Sequence, residues 1–197
     1  GEIAAVSNNQ IVGAYSAYGQ AEGLSRQGKN TKALELANRA LEILQAVQGQ
    51  FLCLAHIQKA RVHLQMSDYA DARNHLGQSL KMLPRFKLFE ITSPAFALYV
   101  ESVATPAWLS TSYKLTVRDR WKVAVVALTA RFFGRIFPNT RAHAYRVSAR
   151  LALAKGKPKK SLRLLNRAIA AAERIGANYE LARSLIDRSI LDHPDAQ

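Results

Sequence analysis

The feature that most constrains this chain is a pair of apolar helical stripes, separated by a turn, that comes back several times. Residues 21–44 read AEGLSRQGKNTKALELANRALEIL. A helix-ending Gly28 precedes Asn30 and Thr31, both suited to cap a helix N-terminus, and a second stripe follows at Ala33, Leu34, Ala37, Ala40, Leu41 and Leu44. Residues 55–84 repeat the theme, with Ala60 and Leu64 on a first helix, Ser67 and Asp68 at the turn, then Ala72, Leu76, Ser79, Leu80 and Leu83 before Pro84. In residues 142–172, Ala149, Ala152 and Leu153 precede a Gly156-Lys157-Pro158 turn, and Ser161, Leu165, Ala168, Ile169 and Ala172 follow it. Aligning Ala33, Ala72 and Ser161 gives intervals of 39 and 89 residues, the second holding one additional hairpin with an insertion. A single hairpin cannot bury its apolar face alone, so the copies must stack on one another.

The pattern predicts an all-α chain forming a single helical-repeat domain over 1–197, with hairpins at about 5–48, 50–84, 86–137 and 139–176 and a capping helix at 178–191. Abundant Ala, Leu, Arg and Lys favour helix in nearly every window, and at 197 residues one continuous stack is the default. The middle, residues 86–137, fits the repeat least well. Ser93-Pro94 and Thr105-Pro106 each read as an N-cap followed by a first-turn proline, predicting two short helices there or one kinked at Pro106, paired with a helix from about Arg118 to Ile136.

The spacing of small residues at the helix crossings resembles the tetratricopeptide family. Ala21, Leu24, Gly28, Ala33, Ala37, Ala40 and Leu41 carry the resemblance in the first copy, and Ala60, Tyr69, Ala72, Leu76, Ser79, Leu80 and Pro84 in the second. It covers roughly residues 14–84 and 140–176. Two departures stand out: the period near 39 is longer than the family's, and Ala17 and His56 replace a large aromatic early in the first helix. Long periods of this kind, and the closing stretch 171–190, are similar to the repeats of large bacterial signal-transduction ATPases, adenylate-cyclase-like proteins and regulators of the maltose-activator type. The resemblance implies a right-handed curved solenoid, protein recognition through the face of the first helices, and membership of a larger signalling protein.

Charge is distributed unevenly. Between positions 114 and 167 there are fifteen Lys or Arg and one acid, Asp119, so this block carries the whole net charge of +14. A basic block on an otherwise neutral scaffold points to one acidic partner surface. His143, Arg146 and Arg150 share one helix face in it. Aligned on the repeat, that face corresponds to Tyr15, Tyr18 and Glu22 in the first copy and to Ile57 and Arg61 in the second. The expected partner-binding residues are therefore Tyr15, Tyr18, Arg61, His143, Arg146 and Arg150, with an acidic peptide or domain, of another chain or of the same polypeptide, as ligand. The competing reading leaves the lysines around Gly156 as a solvated turn and the arginines as surface residues lying over Ala-rich helices. Nucleic acid or an anionic membrane surface would draw on the same charges, but aromatics are not interleaved with them as base stacking requires. Residues 121–137, WKVAVVALTARFFGRIF, have the composition of an interfacial helix. The preferred reading is a buried repeat helix whose Lys and Arg face water.

Little in the chain suggests catalysis, a metal or a cofactor. The histidines His56, His63, His75, His143 and His193 are scattered, and His56 and His63 are too far apart on one helix to share a metal without a third ligand from elsewhere. No phosphate-cradling glycine loop or metalloprotease motif occurs. Glu35 and Glu42 fall on an exposed helix face beside basic residues, and none of these acids sits within an apolar run. Cys53 is the one cysteine, expected to pack as a small apolar residue in a reducing, cytoplasmic setting. The longest apolar run, residues 123–130, is far shorter than the roughly 20 residues of a membrane span.

Overall fold

The computed structural model describes residues 8–47, 50–83, 89–110 and 115–192. Residues 5–7 and 48 of the first expected hairpin, together with Pro84, Lys114 and His193, lie outside the described residues. The fold is all-α and built from tetratricopeptide-like hairpins, and no strand occurs among the described residues. The chain comprises two compact units, Gly1–Ala95 and Phe96–Gln197.

The first unit contains α1 (Asn8–Arg26), α2 (Asn30–Val47), α3 (Gln50–Gln65), α4 (Tyr69–Met82) and the single-turn α5 (Phe89–Thr92). Helix α1 packs on α2 and α3, and α3 packs on α4. Alanine dominates where the helices cross: Ala14, Ala17, Ala40, Leu41, Leu44 and Ala55 form one buried cluster, and Ala21, Ala33, Ala37 and Val62 another. Small side chains let the axes approach closely, and the leucines fill what remains. Leu76 of α4 is fully buried, so its truncation to Ala is expected to cost about 2–5 kcal/mol.

The second unit takes nearly all of α6 (Pro94–Leu109), then α7 (Val117–Ile136), α8 (Pro138–Ala154), α9 (Pro158–Arg174) and α10 (Asn178–Asp192). Helix α8 is central, packed on α7, α9 and α10. Helix α9 shows the amphipathic pattern most clearly, burying Ser161, Leu164, Leu165, Ala168, Ala171 and Ala172 on one side. Only Phe137 separates α7 from α8, and Arg141 closes that corner. Its Nε donates to the Gly134 carbonyl at 2.7 Å and its Nη2 to the Arg135 carbonyl at 3.0 Å, satisfying carbonyls that the end of α7 leaves without partners. Gly134 permits the approach, since a Cβ there would stand 3.1 Å from the Arg141 Cα.

Four of the turns between helices share one device. Gly28, Ser67, Gly156 and Gly176 adopt positive φ of 77°, 60°, 67° and 63°. In each, the next residue's N–H reaches back five positions: Lys29 to Leu24, Asp68 to His63, Lys157 to Ala152 and Ala177 to Ala172, at 2.9–3.0 Å. The aligned positions Ala33, Ala72 and Ser161 each fall five residues after the left-handed residue, and each is buried. The sequence alignment of the repeats therefore has a geometric cause, a common turn that delivers the same helix face to the core.

Of the two arrangements expected for residues 93–109, the structure has the single helix: Pro106 lies inside α6, which continues to Leu109, and Val100, Val103 and Ala104 are buried and hold that part of the helix in place. One expectation is corrected. Helix α7 is not a wholly buried helix: it packs Phe133 against Phe96 but leaves most of its large apolar residues outside. Val123, Ala127, Ala130 and Gly134 face inward, while Trp121, Val125, Leu128 and Phe132 face water.

Candidate functional site

Helix α6 is apolar on every side, and in the middle of it stands one acid, Glu101, buried to 3 % exposure. An ionised carboxylate survives at such a depth only with charged partners. Helices α8 and α10 supply them with matching spacings. His143, Arg146 and Arg150 follow one another at intervals of three and four residues, as do Glu180, Arg183 and Asp187, so each trio forms one helix face.

Arg146 is fully buried and bonded on all sides. Its Nη1 and Nη2 lie 3.3 and 3.4 Å from Glu101 Oε1, its Nε donates to Glu180 Oε2 at 3.0 Å, and Nη1 stands 3.8 Å from Asp187 Oδ2. Arg150 grips Asp187 with two parallel bonds of 2.6 Å, donates to Thr105 Oγ1 at 3.0 Å and covers the Trp108 ring at 4.9 Å. That fork geometry is specific to a guanidinium. His143 Nε2 donates to Glu101 Oε2 at 2.8 Å, and Arg183 Nη2 donates to Glu101 Oε1.

Charges in this cluster balance, with Glu101, Glu180 and Asp187 opposing Arg146, Arg150 and Arg183. Burial acts to raise the Glu101 pKa, but Arg146, Arg183 and His143 together hold it well below the usual carboxylate range. Glu180 is likewise lowered: burial opposes the change, and His143, Arg146 and Arg183 outweigh it. Burial works against the charge of Arg146, yet Glu101, Glu180 and Asp187 raise its pKa above the normal guanidinium value. Glu101, Glu180 and Arg146 stay ionised near neutral pH, and their ion pairs tie α6, α8 and α10 together. Carboxylates in that state carry no proton to donate as general acids there.

The expectation that Arg146 and Arg150 line an open face is thereby corrected on exposure: Arg146 shows no surface at all, and His143 and Arg150 present little. The acidic half of the arrangement escaped the sequence reading. Glu101 was legible as the one acid in the apolar stretch 95–109, and the repeated three-and-four spacing on α10 was its counterpart.

In the first unit the corresponding residues keep more surface. Tyr15 is exposed and meets Phe51 of α3 edge-on, with ring centroids 4.9 Å apart. Tyr18 is half-buried, and burial raises its hydroxyl pKa. Glu22 bonds Arg26 at 2.6 Å and Arg61 at 2.9 Å, so one carboxylate serves two guanidiniums and the group keeps an excess positive charge. Tyr15 and Arg61 thus each meet the other helix of the α1–α3 pair, Tyr15 through Phe51 and Arg61 through Glu22, whereas Ile57, aligned with them in sequence, is buried.

Between α3 and α4 the structure supplies what the sequence spacing lacked. His75 comes within 3.0 Å of His56, Nδ1 to Nδ1, and its ring stacks on His63 with centroids 5.7 Å apart. Burial, aided by Lys59, lowers the pKa of both His56 and His75, the latter to about 4. His63, Asp68 and Asp71 offer three possible metal ligands within 4.8 Å of one another. Asp68, however, is already engaged, accepting the Asp71 N–H as the N-cap of α4 and the His63 ring at 3.1 Å. Cys53 is buried against Ser79, with Sγ 3.0 Å from its Oγ.

Comparison with protein families matches residues 13–85 to the tetratricopeptide repeat, a span running from within α1 to just past α4. Repeats of this type generally mediate protein–protein interaction. No curated protein and no solved structure matches the chain.

Proposed function

We propose that the chain is a non-catalytic protein-recognition module that docks an acidic peptide or domain on the first-helix surface carrying Tyr15, Tyr18 and Arg61. The observation that supports this reading most directly is that the tetratricopeptide match covers the helices α1 and α3 that carry these residues and pack on one another. Tyr15 offers a rigid, exposed aromatic anchor of the kind that dominates binding energy at protein interfaces. The excess positive charge around Glu22 favours a carboxylate-bearing ligand over a neutral one. Similarity to the long-period repeats of signal-transduction ATPases and cyclase-like regulators makes another domain of the same polypeptide the partner to try first. His143, Arg146 and Arg150 support this function indirectly, as the internal ties of the second unit.

The test is capture of partners from source lysate by the wild-type chain and by a Tyr15→Ala, Arg61→Glu variant, under nuclease and across a salt series, followed by titration of the recovered protein. We expect the variant to keep its far-UV circular dichroism and to lose at least tenfold in affinity. Equal affinity of the two chains removes this face as the docking surface, and nuclease-sensitive capture transfers the positive charge to nucleic acid.

A further inference from the structure

Helix α7 carries six large apolar residues on the outside, while Val123 and Phe133 pack inward. Val117, Trp121, Val125, Leu128, Phe132 and Ile136 follow at intervals of four, four, three, four and four residues, and each is between 52 and 72 % exposed. They form one stripe along the full helix, about 29 Å long at 1.5 Å per residue. The opposite face is made of Val123, Ala127, Ala130 and Gly134, all buried. The helix is therefore already seated on its small residues, and the stripe is a second apolar face with no partner within the described residues. A contiguous apolar surface of this length marks an interaction site.

Charge decides what fits it. At about 100° per residue, Arg118 and Lys122 border one edge of the stripe and Arg120, Arg131 and Arg135 the other. The one acid on the helix, Asp119, is turned to its own N-cap, where its backbone N–H and carboxylate bond Thr116. The basic field continues beyond α7. Lys155, at the α8–α9 turn, has its pKa lowered by burial and by the charges of Lys157, Lys160 and Arg120. A second copy of the chain would set these five cations against their own duplicates and is disfavoured.

We propose that α7 is a membrane-surface helix that lies in the interface of an anionic bilayer, with the stripe from Val117 to Ile136 in the acyl boundary and its flanking Arg and Lys on the lipid phosphates. Long cationic side chains along both edges of an apolar stripe reach headgroups while their stems stay in the apolar layer. Trp121 is suited to that boundary by its amphipathic ring. The lysine turn adds the electrostatic attraction that an apolar stripe alone lacks. This inference does not depend on the face of α1 and α3, and a failure of either leaves the other standing.

The experiment is co-sedimentation of the full chain with vesicles of phosphatidylcholine alone or mixed with phosphatidylglycerol, at low and high salt, with tryptophan emission recorded in parallel. The expected result is binding to the anionic vesicles, a blue-shifted emission, and at least tenfold weaker binding for a Leu128→Ser, Phe132→Ser variant. Both substituted side chains are exposed, and unchanged circular dichroism verifies that the variant folds. A chain that binds neutral and anionic vesicles equally, or neither, overturns the proposal. Binding that the variant retains also overturns it, because adsorption by charge alone needs no stripe. Loss of a protein partner by the variant, without vesicle binding by the wild type, assigns the face to an acidic amphipathic helix instead.

Discussion

Glu101 of α6 and Arg146 of α8 are 45 positions apart in the chain and meet in the interior of the second unit, with guanidinium nitrogens 3.3 and 3.4 Å from the carboxylate. Neither could be buried alone. Each makes the other tolerable in a low-dielectric interior, and Glu180, Asp187, Arg150 and Arg183 complete the balance. Such a cluster specifies which faces of α6, α8 and α10 come together, because any rotation of one helix strands a charge.

Removing either member should be costly, because it leaves the other's buried charge without its partner. Glu101→Gln and Arg146→Met are each expected to cost about 3–5 kcal/mol, the usual loss when a buried charge is left unpaired. The double variant should lose clearly less than the sum, and urea unfolding of the three variants and wild type in a double-mutant cycle measures the difference. Additive losses would mean that the two groups do not act as a pair.

Ser67 occupies the left-handed position that Gly28, Gly156 and Gly176 fill in the other turns, at φ 60°. A Cβ in that region is unfavourable by about 1–2 kcal/mol, partly offset by the greater freedom of glycine when unfolded. Ser67→Gly should therefore stabilise the chain by about 0.5–1 kcal/mol, and Gly156→Ala should destabilise it by a similar amount or more. Thermal melts of the two variants would show shifts of opposite sign.

Acid should weaken the α3–α4 hairpin. His75 is held to about 4 by burial and by Lys59, His56 and His63, against 6.5 for an ordinary histidine. Between those values the unfolded chain takes up a proton that the folded chain refuses, so stability is complete above about pH 6.5 and falls as pH drops toward 4. His56, lowered in the same direction, adds to the effect. The melting temperature followed from pH 7.5 to 4.5 should decline, and His75→Gln should flatten the decline. An unchanged slope in that variant would place the linkage on other groups.

Cys53 should be silent toward thiol reagents in the folded protein. It is buried, and burial pushes its pKa up against the opposing hydrogen bond from Ser79. Labelling by a water-soluble disulfide reagent should be slow in buffer and rapid in denaturant. Fast labelling under native conditions would show that α3 and α4 separate readily.

Much of the hairpin architecture was legible because it rests on local rules. Gly28, Gly156 and the Ser67-Asp68 turn mark where the chain reverses, and the small residues five positions later mark the face that turns inward. Pro94 and Pro158 at first helical positions are likewise signals within a few residues of the structure they define. Between the two readings of Pro106, two short helices or one helix that contains it, the burial of Val100, Val103 and Ala104 decides for one helix.

What the sequence by itself determined was the helical class, the turns and the repeated inward faces, since each depends on neighbours three to five residues away. Only the tertiary structure decided that Arg146 lies inside while Trp121 and Phe132 lie outside. Composition ranks residues by the cost of hydration, and by that ranking the assignments would be reversed. The order is inverted because Glu101, Glu180 and Asp187, on helices remote in sequence, neutralise the arginine, and because Gly134 and the alanines of α7 leave no room for large side chains against α8.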